Sequence, residues 1–165
     1  MKLHTLTKLA LLTALALIIF VIELRIPDLT PVPGVKLGLA NIITVYAVFR
    51  YKPGETAMIV TGRLLLGAMF SGNLSALLYS AAGAALCLAG MLGIRCLIPM
   101  QYIWLCSVVG AILHNIGQIC AAMLLMQTTA VLAYLPVLLV SGCIAGTFTG
   151  LCAQFTVRRM EKMGQ

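Results

Sequence analysis

Long apolar runs separated by short polar breaks dominate this chain. Six runs stand out, at roughly residues 6–22, 37–49, 56–70, 74–92, 100–126 and 135–155. About 20 apolar residues are needed for a helix to cross the hydrocarbon of a bilayer. The pattern therefore predicts an all-α, polytopic integral membrane protein with six transmembrane helices. The second and third runs are short for a full span, which implies a thinned region or helix ends that continue into the loops. The breaks carry most of the charge. Residues 23–36 hold Glu23, Arg25, Asp28 and Lys36, residues 50–55 hold Arg50, Lys52 and Glu55, and residues 93–99 hold Arg95. The break at residues 127–134 is uncharged.

Composition sharpens this reading. Of 165 residues, 62% are hydrophobic and 9% charged, and the mean hydropathy is +1.09. A water-soluble domain of this size has too little interior to hide so much apolar side chain, so the bilayer is the solvent. No linker divides the chain, so residues 1–165 are expected to form a single membrane domain. A net charge of +7 would suit nucleic acid, but the basic residues form no groove-sized patch and no recognition motif accompanies them. They sit at the ends of apolar runs instead. With the amino terminus inside, the inner segments hold Lys2, Lys8, Arg50, Lys52, Arg95, Arg158, Arg159 and Lys162, and the outer loops only Arg25 and Lys36. That asymmetry predicts both termini on the cytoplasmic face. The first run follows Lys2 and Lys8 like a signal peptide, but Glu23-Leu24-Arg25 stands where a small-residue cleavage site belongs, so it reads as a retained helix.

The stretch from Pro31 to Tyr46 organises the polar chemistry. Pro31, Pro33 and Gly34 keep its start out of a helix. Lys36 marks a polar surface, and Asn41 is expected about 7 Å further down a helix. This places a ligand site near one membrane face, with Pro33, Gly34 and Lys36 in a lid above it. The alternative is a turn followed by an interhelical hydrogen bond. Arg63 is the one charge deep in a run, and a charge at membrane depth is costly enough to suggest a functional role. Its structural alternative is a partner such as Glu23. In the fifth run, His114 and Gln118 are four residues apart and share a face, with Asn115 beside them. Ser141 lies at similar depth in the sixth run. Asn41, Arg63, His114, Asn115, Gln118 and Ser141 are thus expected to converge on one outward-facing cavity, the alternative being separate interhelical bonds.

Several functions are excluded by what is missing. No GxxxxGK[ST] run is present to cradle nucleotide phosphates. The four carboxylates, Glu23, Asp28, Glu55 and Glu161, form no pair able to hold magnesium diphosphate. Two histidines are too few for a metal site, no nucleophile stands beside a base, and the six scattered cysteines suit plain packing. The chain is expected to be neither an enzyme nor a cofactor or metal carrier. Small residues four apart mark packing faces, namely Gly142, Gly146 and Gly150 in the sixth run and Ala81, Ala85 and Ala89 in the fourth. Ala10 and Ala14 form a similar strip on the first helix, where docking of a partner protein competes with internal packing.

The run Pro33-Gly-Val-Lys-Leu-Gly-Leu-Ala-Asn41, joined to Thr61-Gly-Arg63, Ser71-Gly-Asn73 and His114-Asn115-x-x-Gln118, resembles the Gx transporter family, also called heptaprenyl diphosphate synthase component I. The resemblance covers nearly the whole chain. The layout is similar to the S components of energy-coupling factor transporters. It implies an S-component-like bundle in a bacterial cytoplasmic membrane, binding a small anionic solute and energised by a coupling transmembrane subunit and ATPase subunits on other chains. It also implies that Ala10 and Ala14 meet the coupling subunit and that residues 23–36 close over the solute. Prenyl synthases rely on aspartate-rich motifs, which this sequence lacks. The alternative functions are a non-catalytic membrane subunit of heptaprenyl or polyprenyl diphosphate synthesis, and a membrane scaffold without a ligand.

Overall fold

The computed structural model describes residues 3–26, 38–72 and 74–163. The expected lid residues Pro33, Gly34 and Lys36 lie outside the described residues. Within them the fold is all-helical. Helices α1 (Leu3–Glu23), α2 (Asn41–Arg50), α3 (Pro53–Ser71), α4 (Leu74–Ile94), α5 (Ile103–Met126) and α6 (Leu135–Lys162) follow in order. Short 3-10 turns at Met100–Tyr102 and Ala130–Tyr134 lead into α5 and α6.

Four stretches are long and apolar enough to cross a membrane: Leu3–Glu23, Leu74–Ile94, Met100–Met126 and Ala130–Lys162. The expected six helices are present, therefore, but only four of them qualify as spans on length and composition. Helix α2 has 10 residues, about 15 Å at ~1.5 Å per residue, half the hydrocarbon thickness. Helix α3 has 19 residues, about 28 Å, but it carries Glu55 and Arg63.

The boundaries depart from the sequence reading where backbone chemistry decides them. Helix α3 starts at Pro53, three residues early, because proline suits the first helical turn and the Lys52 N–H finds the Glu55 carboxylate at 3.0 Å. It stops at Gly72, whose φ of +61° is the left-handed conformation that ends many helices. Helix α2 starts at Asn41 rather than near residue 37, since Gly38 takes φ +77° and residues 39–40 form a turn. Asn41 therefore opens the helix instead of lying 7 Å down it. Glu23, expected in the loop, is the last residue of α1.

Helix α5 is the centre of the bundle, packed along much of its length against α4 on one side and α6 on the other. Glycines make both contacts close. A Cβ at Gly117 would come 2.7 Å from the Ala82 carbonyl oxygen, and one at Gly150 2.6 Å from the Trp104 Cα. The Gly142, Gly146 and Gly150 strip thus faces α5, where Ser107 and Thr149 also share a hydroxyl hydrogen bond of 3.0 Å. In lipid, with no hydrophobic push between helices, such close approach supplies the packing. Helix α1 is peripheral, resting mainly on α3.

One end of the bundle collects the basic residues and both ends of the described chain. There the Tyr46 hydroxyl donates to the Met160 Sδ at 3.0 Å, Arg95 donates to the Val48 carbonyl at 2.8 Å, and Arg158 donates to the Gln101 carbonyl at 3.2 Å. His4, Arg50 and Glu55 gather around the same end. The opposite end holds Glu23, Gly38 and the α3–α4 turn.

Candidate functional site

At that opposite end a pocket forms where α1, α3, α4 and α5 meet. Glu23 comes from the last turn of α1, Arg63 and Gly67 from α3, Ser80 from α4, and His114 and Gln118 from α5. Phe20, Leu64 and Leu77 supply apolar walls. The unfilled space is about 460 Å³ with its mouth, narrowing to an enclosed room of about 30 Å³. That inner room suits a group the size of one or two waters.

Each polar side chain reaches the pocket for a local reason. Glu23 is 2% exposed, and its carboxylate accepts the Gly38 N–H at 2.5 Å. The N–H groups of Leu39 and Ala40, at the start of α2, also turn toward it. The α1 carboxylate thereby caps the amino-terminal end of α2, where unpaired N–H groups favour negative charge. Gly38 is needed for this geometry twice over. Its φ is left-handed, and a Cβ there would lie 2.9 Å from the Asn41 Nδ2 and 3.4 Å from the His114 Cδ2.

Arg63 lies midway along α3 and is 5% exposed, yet its Nε has no hydrogen-bond partner among the described residues. His114 Nδ1 and both amide atoms of Gln118 are equally buried and equally unpaired. Gly83 makes room for them, since a Cβ there would meet the His114 carbonyl oxygen at 2.8 Å and the Gln118 side chain at 2.9 Å. Buried polar groups are nearly always satisfied, so four orphaned atoms on three neighbouring side chains around one pocket mark a place built to receive something.

The six residues expected to converge divide into two groups. Arg63, His114 and Gln118 line the pocket. Asn41 stands beside it, against Gly38. Asn115 and Ser141 turn the other way, into the α5–α6 contact. The Asn115 Nδ2 donates to the Leu138 carbonyl at 2.5 Å and the Ser141 hydroxyl donates to the same oxygen at 3.1 Å. A one-residue step from His114 to Asn115 rotates the side chain by about 100° around the helix, enough to send it to the other neighbour. Glu23, Phe20 and Ser80 line the pocket without having been chosen as site residues. For Glu23 the signal was legible: a carboxylate directly ending an apolar run.

The donor set suits binding rather than turnover. It offers a fixed cation, an imidazole, an amide and a single carboxylate. Among the described residues, no three of His, Cys, Asp and Glu gather where they could hold a metal ion. Ala10 and Ala14 lie far from this chemistry, both exposed on α1.

No curated protein and no solved structure matches the chain. A family model does match, and the matched residues include α2 to α5 entire and every residue that lines the pocket from Phe20 to Gln118. That model, heptaprenyl diphosphate synthase component I, covers residues 12–156, and the chain belongs to this family.

Proposed function

We propose that this chain is a non-catalytic membrane subunit that binds an isoprenoid diphosphate for a separate synthase component. The observation that carries the reading is Arg63, buried beside an apolar wall with an unpaired Nε and with unpaired His114 and Gln118 atoms next to it. A guanidinium at such depth calls for an anion or strong acceptors. A phosphate offers both, and Arg63 can meet it with two parallel N–H groups. Phe20, Leu64 and Leu77 give the adjoining hydrocarbon a dry surface. Family membership points to the isoprenoid diphosphate class, and the designation component I calls for at least one further component.

Catalysis falls to that partner. Ionising an allylic diphosphate with magnesium needs clustered carboxylates, whereas Glu23 and Glu55 lie at opposite ends of the bundle. The test is a titration of the purified protein with an isoprenoid diphosphate and with the matching alcohol. The diphosphate is expected to bind and the alcohol not. Equal binding of the two would remove the anion from the account.

A second reading has its own support. Ala10 and Ala14 are both exposed on the outer side of α1, where small residues would let another helix approach closely. This suits an uptake transporter of the bacterial cytoplasmic membrane, with the pocket holding a small anionic solute and a coupling transmembrane subunit and ATPase subunits docking from outside the chain. Identification of the proteins that copurify with the native subunit separates the two: a prenyl synthase component supports the first, ATPases the second.

A further inference from the structure

At the basic end of the bundle, far from Arg63, two cavities adjoin. One is an apolar groove of about 380 Å³ running between α1, α2 and α6, walled by Leu12, Leu15, Ile42, Ile43 and Ala153. The other, of about 280 Å³, is polar and holds His4, Lys8, Arg50 and Glu55. Lys8, Tyr46, Tyr51 and Met160 line both, so the two are one continuous depression with a greasy arm and a charged head. Lys8 is exposed and reaches both parts, as a lysine does when its stem lies on apolar surface and its ammonium stays in a polar environment. From Lys8 to Leu15 the groove runs about 10 Å along α1.

We propose that this depression is a binding site for one anionic phospholipid, its acyl chain in the groove and its phosphate beside Lys8. The charge balance favours an anion. Lys8 and Arg50 face one carboxylate, Glu55, which already accepts the Lys52 N–H. The Tyr46 hydroxyl is committed to Met160 and closes the floor between head and arm. An uncharged acyl chain alone would fill any apolar groove in a membrane. The cationic head is what makes the occupant specific, since basic pockets beside spanning helices retain anionic headgroups. The site is independent of the Arg63 pocket and of whatever that pocket binds.

The experiment is native mass spectrometry of the purified chain released from micelles containing equal phosphatidylglycerol and phosphatidylcholine of the same acyl composition. Wild type is expected to retain one phosphatidylglycerol in preference. Lys8→Ala is expected to cut that preference about fivefold, the factor that one basic side chain at a lipid surface supplies, and Lys8→Arg to keep it. Because Lys8 is exposed, neither change endangers folding. Leu15→Trp, which fills the arm from its exposed side, is expected to reduce retention of both lipids. Equal retention of the two lipids by wild type, or an unchanged preference in Lys8→Ala, would overturn the proposal and leave the groove to a partner helix.

Discussion

Glu23 and Arg63 line the same pocket, but the Glu23 carboxylate turns to the Gly38 N–H at 2.5 Å while the Arg63 Nε is left without a partner. The two opposite charges share a space without Glu23 being spent on Arg63. The carboxylate holds α2 in place, and the guanidinium keeps donors for something else.

Removing the carboxylate should therefore act first on α2. Glu23→Ala deletes a buried acceptor of backbone N–H groups at a helix start, and such an unsatisfied donor costs about 1–3 kcal/mol. The expected result is a lower melting temperature with faster hydrogen exchange at residues 38–43. Glu23→Gln, which keeps an acceptor oxygen, should recover part of the loss. Exchange that stays unchanged in α2 would separate Glu23 from this capping role.

The close helix crossings give a paired prediction. Gly117→Ala would drive a methyl against the Ala82 carbonyl, a rigid obstacle on the neighbouring backbone. Overpacking of this kind costs about 1–3 kcal/mol. Gly93 lies near the end of α4 with nothing within 4 Å of its would-be Cβ, so Gly93→Ala should be neutral or stabilising by up to ~1 kcal/mol. Thermal unfolding of the two variants in one detergent checks the contrast, and equal shifts would argue against the close α4–α5 contact.

Docking on α1 is testable separately from ligand binding. Ala10→Leu with Ala14→Leu should abolish copurification with a partner membrane subunit, because only small residues permit close backbone approach. Both alanines are exposed, so the melting temperature and ligand binding should hold. Undiminished copurification would make the strip a lipid-facing surface.

Orientation follows from the basic end. An impermeant maleimide should reach Glu161→Cys only after cells are permeabilised, in a background where Cys96, Cys120, Cys143 and Cys152 are alanine. Basic residues resist translocation, and Arg158, Arg159 and Lys162 flank the exposed position. Labelling in intact cells would reverse the proposed topology.

The apolar runs made the six helices legible, because their lengths are dictated by a bilayer. The start of α2 was not, since the left-handed turn at Gly38 depends on a carboxylate 15 residues earlier in the chain. Within the site, Arg63 and the i, i+4 pair His114 and Gln118 were legible from charge at depth and from helical spacing. Asn115 and Ser141 could not be sorted from them by residue type. Only the packing of α6 onto α5 decides that they meet at the Leu138 carbonyl. Glu23 was visible as a charge, but its side of the pocket depends on how α1 leans on α3, which no local pattern encodes.

The central claim is that Arg63 reads an anionic head. The most direct measurement is the affinity of wild type, Arg63→Lys and Arg63→Ala for one isoprenoid diphosphate, each on folded, monodisperse protein. Arg63→Ala should lose at least ~100-fold, since breaking a buried charged pair costs about 3–5 kcal/mol. Arg63→Lys should fall between, keeping the charge but losing the two-pronged contact. Wild-type affinity in folded Arg63→Ala, with only the melting temperature lowered, would contradict the account and make Arg63 a structural counterpart of Glu23.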